Sequence, residues 1–300
     1  MLIPLLLLLL ANFAGATSAL FIKGCAVEPI ALSGWRLVLA ALLLSPLFAR
    51  DWRRHRETFA WKKLACCLLP GAGLAVHFIL WAMAVPRTTA VNSTLVVNMV
   101  PIAMPFFLWG FVRERLTRAE WIGTALSLVG LCVLGAGDLH LGRDTFLGDA
   151  LAFASMLVFC GYMILARQNR DFPSIFLYVP PLYLAGGALC LMASAACETP
   201  FQAYARQDWL MLLGLALVPT VVGHSLFNWA MQHLRGQFVS ITTLSQCVFA
   251  GVLAYPLLGE VPSAAFYAAA ALMALGMAVA LLSPAPPAAL ATATTSTSGS

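Results

Sequence analysis

Charged side chains are scarce in this chain. Asp, Glu, Lys and Arg make up 10% of its 300 residues, whereas hydrophobic residues make up 61%. An ordinary soluble domain has roughly a quarter charged residues, and a soluble protein of this size could not cover its surface with so few charges. The composition favours a lipid bilayer as the solvent, and it excludes a disordered or a nucleic-acid-binding protein as a class.

The signatures of catalysis and of metal binding are also missing. The eight cysteines lie within or at the ends of apolar runs and show no C-x-x-C or His/Cys ligand spacing. H-E-x-x-H and the phosphate-binding G-x-x-x-x-G-K-[ST] do not occur, and no carboxylate falls in the middle of an apolar run. We therefore assign no catalytic residue, metal or cofactor, and we disfavour an intramembrane enzyme.

What the chain does have is apolar runs of about 20 residues, each long enough to cross the hydrocarbon of a bilayer. The run from Leu2 continues to Ile22 without a preceding basic region, so it is predicted as a membrane helix and not as a signal peptide. The longest polar stretch is Arg50–Lys63, and the tail 284–300 is predicted to be disordered. Ten spans are predicted, at 2–22, 29–49, 64–84, 88–110, 118–137, 146–166, 174–196, 209–230, 236–258 and 262–282.

Basic residues set the predicted orientation, because Lys and Arg accumulate in cytoplasmic loops. With the N-terminus in the cytoplasm, the cytoplasmic side carries twelve of them: Arg50, Arg53, Arg54, Arg56, Lys62, Lys63, Arg113, Arg115, Arg118, Arg167, Arg170 and Arg235. The other side carries four: Lys23, Arg87, Arg143 and Arg206. This asymmetry predicts an inner-membrane protein with both termini in the cytoplasm.

The chain repeats itself weakly, at an offset of about 146 to 148 residues. Trp81–Met83 recurs as Trp229–Met231. Each tripeptide is followed by a turn, then by a helix with scattered polar residues that ends in a glutamate (Glu114 or Glu260), and then by a Gly- and Ala-rich span. Five spans per repeat is an odd number, so the second repeat must be inverted relative to the first. We predict an all-α membrane protein with two inverted five-helix repeats, at 1–137 and 146–283.

Inverted repeats around a midplane site are the architecture of secondary transporters, and this favours transport over a non-transporting scaffold or sensor. The sequence also resembles the EamA family of the drug/metabolite transporter superfamily. The resemblance is carried by the second span from Glu28 to Leu44, by Pro101-Ile102, and by the turns Glu114–Thr117 and Gly259–Pro262. It departs from the family pattern at Cys247, which stands where the first repeat has Pro101.

The resemblance implies ten helices, an inner-membrane location, and ion- or proton-coupled movement of small metabolites, often amino acids or their relatives. We expect an exporter of an amino acid or amino-acid derivative that works by alternating access. A nucleotide-sugar or sugar-phosphate carrier of the same superfamily is the main alternative. It should have several basic residues in its cavity, and only Arg36 qualifies.

Polar side chains within spans are candidates for the substrate site, because they are costly in hydrocarbon. Arg36 is the only Lys or Arg well inside a span, and it would meet a substrate carboxylate in a wet cavity or lock helices together. His77 with Trp81, and His224 with Asn228, are pairs four residues apart on one helix face each. A histidine changes charge near neutral pH, which suits a proton-coupled step.

Two further candidates lie in the fourth and ninth spans, Asn98 and Gln246, which either line the cavity or bond helices together. The remaining Phe and Trp residues are expected to face lipid or the core. Glu114 and Glu260 are interpreted as structural, at the N-terminus of a following helix. The small residues of the fifth and tenth spans, such as Gly123, Gly130 and Gly276, would allow a homodimer contact.

Overall fold

Helices account for all the regular structure in the computed structural model over residues 2–88, 90–135, 143–258 and 264–283, which are the residues it describes. Nine segments in these ranges are long and apolar enough to cross a membrane: Leu2–Lys23, Pro29–His55, Trp61–Ala84, Ser93–Val112, Arg118–Gly135, Thr145–Gln168, Ile175–Cys197, Arg206–His233 and Gly236–Leu253. A shorter apolar helix of 17 residues, Ala264–Ala280, lies at the predicted tenth position. We number the segments first to tenth in this order. Glu260 and the predicted disordered tail 284–300 lie outside the described residues.

The second segment is longer than its predicted span. It runs to His55, so that much of the stretch predicted as a loop, Arg50–Lys63, is helical. The third segment begins earlier too, as a 3₁₀ turn over Trp61–Cys67 before the α-helix Leu68–Ala84. These extensions carry charged residues, and a helix can project beyond the hydrocarbon as easily as end there, so hydropathy alone could not locate its end.

The fourth and the ninth segments are both interrupted near their middle. The fourth consists of Ala90–Val97 and Val100–Val112, with Asn98 and Met99 between them. Pro101 lies in the first turn of the second piece, where its missing N–H has no helical partner to lose. The sequence therefore accounts for this interruption.

The ninth segment consists of Gly236–Thr242 and Ser245–Leu258 and has no proline at its interruption. Instead, four hydroxyl side chains each donate a 2.7 Å hydrogen bond to the carbonyl three residues earlier, namely Ser240, Thr242, Thr243 and Ser245. Such bonds compete with the helical pattern. They explain why the ninth segment is interrupted although Cys247 stands where the fourth segment has Pro101.

The eighth segment contains a wide π-helical stretch, Ala216–His224, between the α-helices Arg206–Leu215 and Ser225–His233. Pro219 lies in this stretch and has no N–H to bond one turn back, so the regular pattern cannot continue through it. The Thr220 hydroxyl donates to the carbonyl of Leu215 over 2.8 Å. The wider turn moves Thr220 and His224 relative to a regular helix, as π-helical turns at functional sites often do.

The second and seventh segments, and the fifth and tenth segments, pack against each other and run antiparallel. In the second and seventh segments Gly34 lies against Leu191 and Gly187 against Val38, and in the fifth and tenth Gly123 lies against Gly276. Glycine at these positions lets the two backbones approach closely. Gly123, Gly130 and Gly276 are therefore used within one chain, and a homodimer contact through this region stays a prediction.

The antiparallel pair of second and seventh segments is tied at both ends by a carboxylate. The hydroxyl of Ser174, which caps the seventh segment, donates to Asp51 over 2.5 Å. At the opposite end, Glu198 accepts hydrogen bonds of 3.1 and 2.7 Å from the N–H groups of Ile30 and Ala31. Each carboxylate thus satisfies donors at the start of the other helix, where the helix dipole favours negative charge.

We expect Gly187→Ala to lower the melting temperature of the purified protein, measured in detergent. The new Cβ would lie 2.8 Å from Val38 Cγ2 and 2.9 Å from Val38 N, so the two helices must move apart. Overpacking of this kind costs about 1–3 kcal/mol. Gly110→Ala is the matched control, because nothing lies within 4 Å of its added Cβ. Equal stability of the two variants would contradict close packing of the second and seventh segments.

Candidate functional site

A small cavity lies between the two halves, where seven segments meet. Its volume is about 50 Å³, which is room for about four waters. Substrates larger than this must therefore enter through a rearrangement of the helices. The wall consists of Gly15, Ser18, Arg36, His77, Phe78, Trp81, Val97, Asn98, Phe159, Pro219, His224, Phe227 and Gln246.

Six of the seven predicted site residues lie in this wall: Arg36, His77, Trp81, Asn98, His224 and Gln246. The seventh, Asn228, is buried behind it. Its side-chain nitrogen donates to the carbonyl of His224 over 2.7 Å and to the hydroxyl of Tyr162. Asn228 therefore holds the eighth segment against the sixth, and its role in binding substrate stays a prediction.

Arg36 is almost completely buried, with 2% of its surface exposed. Its guanidinium lies over the ring of Phe78, with Cζ 3.7 Å from the ring centroid. Nε donates to the Thr220 hydroxyl over 2.5 Å, and Nη1 lies 3.4 Å from the Ser18 hydroxyl. Nη2 has no hydrogen-bond partner, and no carboxylate lies within 4 Å of this guanidinium, among the residues that the structure describes.

Thr220 holds Arg36 in place from the π-helical stretch of the eighth segment. Its hydroxyl donates to Leu215 O and accepts from Arg36 Nε, so both of its roles are filled. The backbone carbonyl of Thr220 accepts a 3.0 Å hydrogen bond from the hydroxyl of Tyr183 in the seventh segment. Arg36 in the first half is thereby fixed by two segments of the second half.

The two predicted histidines face each other across the boundary between the halves, with ring centroids 6.0 Å apart. His77 Nδ1 lies 2.8 Å from the hydroxyl and 3.1 Å from the carbonyl of Ser155. Because that hydroxyl itself donates to His77 O, the arrangement places the His77 proton on Nδ1. His224 Nδ1 is buried and has no partner within the described residues.

Aromatic side chains form much of the remaining wall, contrary to the expectation that they face only lipid or core. Phe159 stacks on His77 with centroids 4.7 Å apart, and Phe78 meets the edge of His224 at 4.8 Å. Phe227 and Trp81 complete the set. Sequence reasoning missed these phenylalanines because an apolar side chain in an apolar run gives no local signal. Only the polar neighbours of Phe78 and Phe227, namely His77 and Asn228, could have drawn attention to two of them.

A cluster of buried ion pairs joins the halves at the end of the molecule predicted to be cytoplasmic. Arg167, 2% exposed, pairs with Glu114 and donates to the carbonyls of Met231 and Leu234. Arg235 bonds both carboxylate oxygens of the buried Glu120, at 2.5 and 2.8 Å. This hydrogen bonding raises the pKa of Arg235 above its ordinary value, so its charge is retained.

Glu114 and Glu120 have different structural roles in this cluster. Glu114 was predicted to sit at the N-terminus of the following helix, but it accepts from the N–H of Gly236, at the start of the ninth segment. Glu120 instead forms a reciprocal capping box with Thr117 at the start of the fifth segment. The spacing Thr117-x-x-Glu120 is the sequence pattern of a capping box, so this cap could have been predicted from the sequence.

Comparison with known proteins identifies what this chain resembles. The family described as the EamA-like transporter family matches residues 2–136 and 146–282. An uncharacterized transporter of Bacillus subtilis, YwfM, is 25% identical over 288 residues, covering 92% of each chain. An uncharacterized transporter of Archaeoglobus fulgidus is 24% identical over 250 residues, covering 81% of this chain and 83% of its own.

Two further comparisons are less extensive or concern the fold alone. The protein RarD of Streptomyces exfoliatus is 26% identical over 193 residues, covering 62% of this chain and 58% of its own. One solved crystal structure superposes with a TM-score of 0.75 at 22% identity, covering 92% of this chain and 96% of that one. The helical arrangement described above is thus one that has been seen by experiment.

We expect Thr220→Val to destabilise the protein, because the Arg36 Nε–H would lose its acceptor in a buried position. Hydrogen bonds to charged groups contribute about 1.5–3 kcal/mol. Thr220→Ser keeps the hydroxyl and is the matched control. Thermal unfolding of the purified variants in detergent measures the difference. If Thr220→Val melts together with Thr220→Ser, the bond does not hold Arg36.

Proposed function

We propose, on the premise that this chain belongs to the EamA-like transporter family, that it exports an amino acid or amino-acid derivative by secondary transport. The chain is a multi-pass membrane protein with apolar helical segments throughout its described residues. The observation that carries the proposal is Arg36, a buried cation facing a cavity without a carboxylate partner in the described part of the chain. The direction of transport rests on the family resemblance.

Arg36 supports a substrate that carries a carboxylate. An ionised side chain held inside a membrane protein without a counter-charge is costly. A carboxylate can accept two parallel hydrogen bonds from a guanidinium, and Arg36 Nη2 has no protein partner among the described residues. Asn98 and Gln246, in the same wall, offer amide groups to the rest of the substrate.

Alternating access is supported by the relation between the two halves. The antiparallel pairing of corresponding segments is what two inverted repeats, 1–137 and 146–283, would produce, with Ala264–Ala280 as the tenth helix. Discontinuous helices at corresponding positions of the two halves are a feature of transporter binding sites. The interruptions at Asn98–Met99 and Thr243–Leu244 adjoin the cavity residues Asn98 and Gln246.

The orientation proposed from the basic residues places both termini in the cytoplasm of a cell whose inner membrane holds the protein. In that orientation the cluster of Glu114, Glu120, Arg167 and Arg235 ties the two halves together at the cytoplasmic end. Opening toward the cytoplasm would require these cross-half ion pairs to separate.

The nucleotide-sugar or sugar-phosphate alternative is less well supported. Such substrates carry two or more negative charges on phosphate and would require several cations. Of the thirteen residues in the wall, only Arg36 carries a fixed positive charge.

Ligand-dependent stability of the detergent-purified protein tests the proposal. The panel contains amino acids, amino-acid conjugates, polyamines and nucleotide sugars, each at pH 6 and pH 8. A substrate present at about a hundred times its Kd stabilises the folded state by about 2.7 kcal/mol and raises the melting temperature. We expect stabilisation by a compound with a carboxylate, its loss in Arg36→Gln, and its retention in Lys23→Gln, which removes an exposed charge. Stabilisation only by polyamines or nucleotide sugars would contradict the proposal.

We propose that a proton is the coupling ion and that the facing pair His77 and His224 carries it. Transport by His77→Ala or His224→Ala in proteoliposomes should then lose the pH dependence of the wild type or turn over more slowly, with expression unchanged. His233→Ala is the control, because His233 is exposed outside the cavity. Normal transport by both variants at every pH would remove the histidines from the mechanism.

A further inference from the structure

We infer that the substrate is a monoanion that joins a carboxylate to a flat apolar group and has no free ammonium. An amino acid whose nitrogen is acylated, or an aromatic 2-oxo acid, has this chemistry, and a zwitterionic amino acid does not. The inference rests on the proposed transport function and narrows its substrate class from amino acids and derivatives to the derivatives without a positive charge.

The charges around the cavity carry the argument. Arg36 is the one fixed charge among the thirteen wall residues, and the wall contains no carboxylate. The other polar groups are a hydroxyl, two amides, two imidazoles and an indole N–H: Ser18, Asn98, Gln246, His77, His224 and Trp81. An imidazole is neutral or positive, so protonation can only make the cavity more positive.

An ammonium group would have no counter-charge in this cavity. In an amino acid it is attached to the carbon next to the carboxylate, so a carboxylate bound to Arg36 would hold the ammonium near the guanidinium. Two like charges repel strongly where water is excluded. An acylated nitrogen is neutral and carries a single N–H, which an amide oxygen in the wall can accept.

The amide side chains suit such a neutral N–H group. Asn98 Nδ2 donates to its own helix at Thr94 O over 2.9 Å, and Gln246 Nε2 lies 3.2 Å from Asn12 Oδ1. Each nitrogen therefore has one of its two N–H groups occupied, and each side chain retains an oxygen that can accept. One guanidinium balances one carboxylate, so while both imidazoles are neutral a dianion would leave a negative charge without a partner.

The rings of the wall account for the apolar part of the substrate. Phe78, Phe159, Phe227 and Trp81 surround the polar groups, and His77 is already stacked on Phe159. Flat groups pack well against aromatic side chains in offset or edge-to-face arrangements. The cavity has room for only a few waters as it stands, so these rings must separate to admit the substrate.

Four compounds with the same side chain separate the charge states: phenylalanine, N-acetylphenylalanine, N-acetylphenylalanine amide and phenylalanine methyl ester. Each is titrated against the full-length protein in detergent, with the melting temperature as readout. We expect N-acetylphenylalanine to bind at least tenfold more tightly than phenylalanine. The neutral amide and the cationic ester should bind more weakly still.

A charge-swap variant tests the same inference without removing Arg36, whose loss could prevent folding. Gln246→Glu places a carboxylate in the wall, and it should shift the preference from N-acetylphenylalanine toward phenylalanine. A general loss of stability would weaken both ligands alike and would not reverse their order. Gln202→Glu, at an exposed position outside the wall, is the matched control and should leave the preference as in the wild type.

The outcomes distinguish this inference from the proposed function. If phenylalanine binds as tightly as N-acetylphenylalanine, through Arg36, the inference of an anionic substrate is overturned. The proposed function, transport of an amino acid, would still stand. Failure of N-acetylphenylalanine to bind while amino acids with a free ammonium stabilise the protein would also overturn the inference alone. Stabilisation by polyamines or nucleotide sugars, and by no carboxylate, would overturn both.

Discussion

In a bilayer, every backbone N–H and C=O group within the hydrocarbon must find its partner inside the protein, and the rest of this structure depends on that constraint. It explains why the described segments are helical and why the two interrupted helices are interrupted only where protein surrounds them. Asn98 and Thr243, at the two interruptions, are both buried. The hydroxyls of Ser240 and Thr243 donate to carbonyls of their own helix, so these carbonyls keep hydrogen-bond donors at the interruption.

The same requirement applied to charge connects the fold to the function. Arg36 is tolerated at depth because Phe78, Thr220 and Ser18 surround its guanidinium, yet these neutral groups supply no negative charge. The hydroxyl of Thr220 reaches the guanidinium from a helix widened around Pro219, so the backbone irregularity and the buried cation belong to one arrangement. A substrate that brings its own carboxylate would complete it.

Much of the cavity could be predicted from the sequence, and the failures have physical causes. His77 and His224 are 147 residues apart, and the repeat at that offset brought them together in the prediction. Asn228, predicted from its spacing to His224, donates to the hydroxyl of Tyr162 in the sixth segment, a partner that spacing along one helix could not reveal. Phe159 gave no signal, since periodicity cannot distinguish a ring that faces a cavity from one that faces lipid. The length of the second segment was missed because its charged end continues the helix into water.

The ion-pair cluster has a consequence for how the two halves depend on each other. Its carboxylates, Glu114 and Glu120, lie in the first half, and its arginines lie in the second. At the offset of 148 residues that aligns Trp81 with Trp229, the first half has Arg87 where the second has Arg235, but Ala19 where the second has Arg167. Two copies of the first half would therefore leave Glu114 without the cation that Arg167 supplies. If the molecule arose by duplication, it has since given up self-assembly from identical halves, and either half made alone would need the other before its charges could be neutralised.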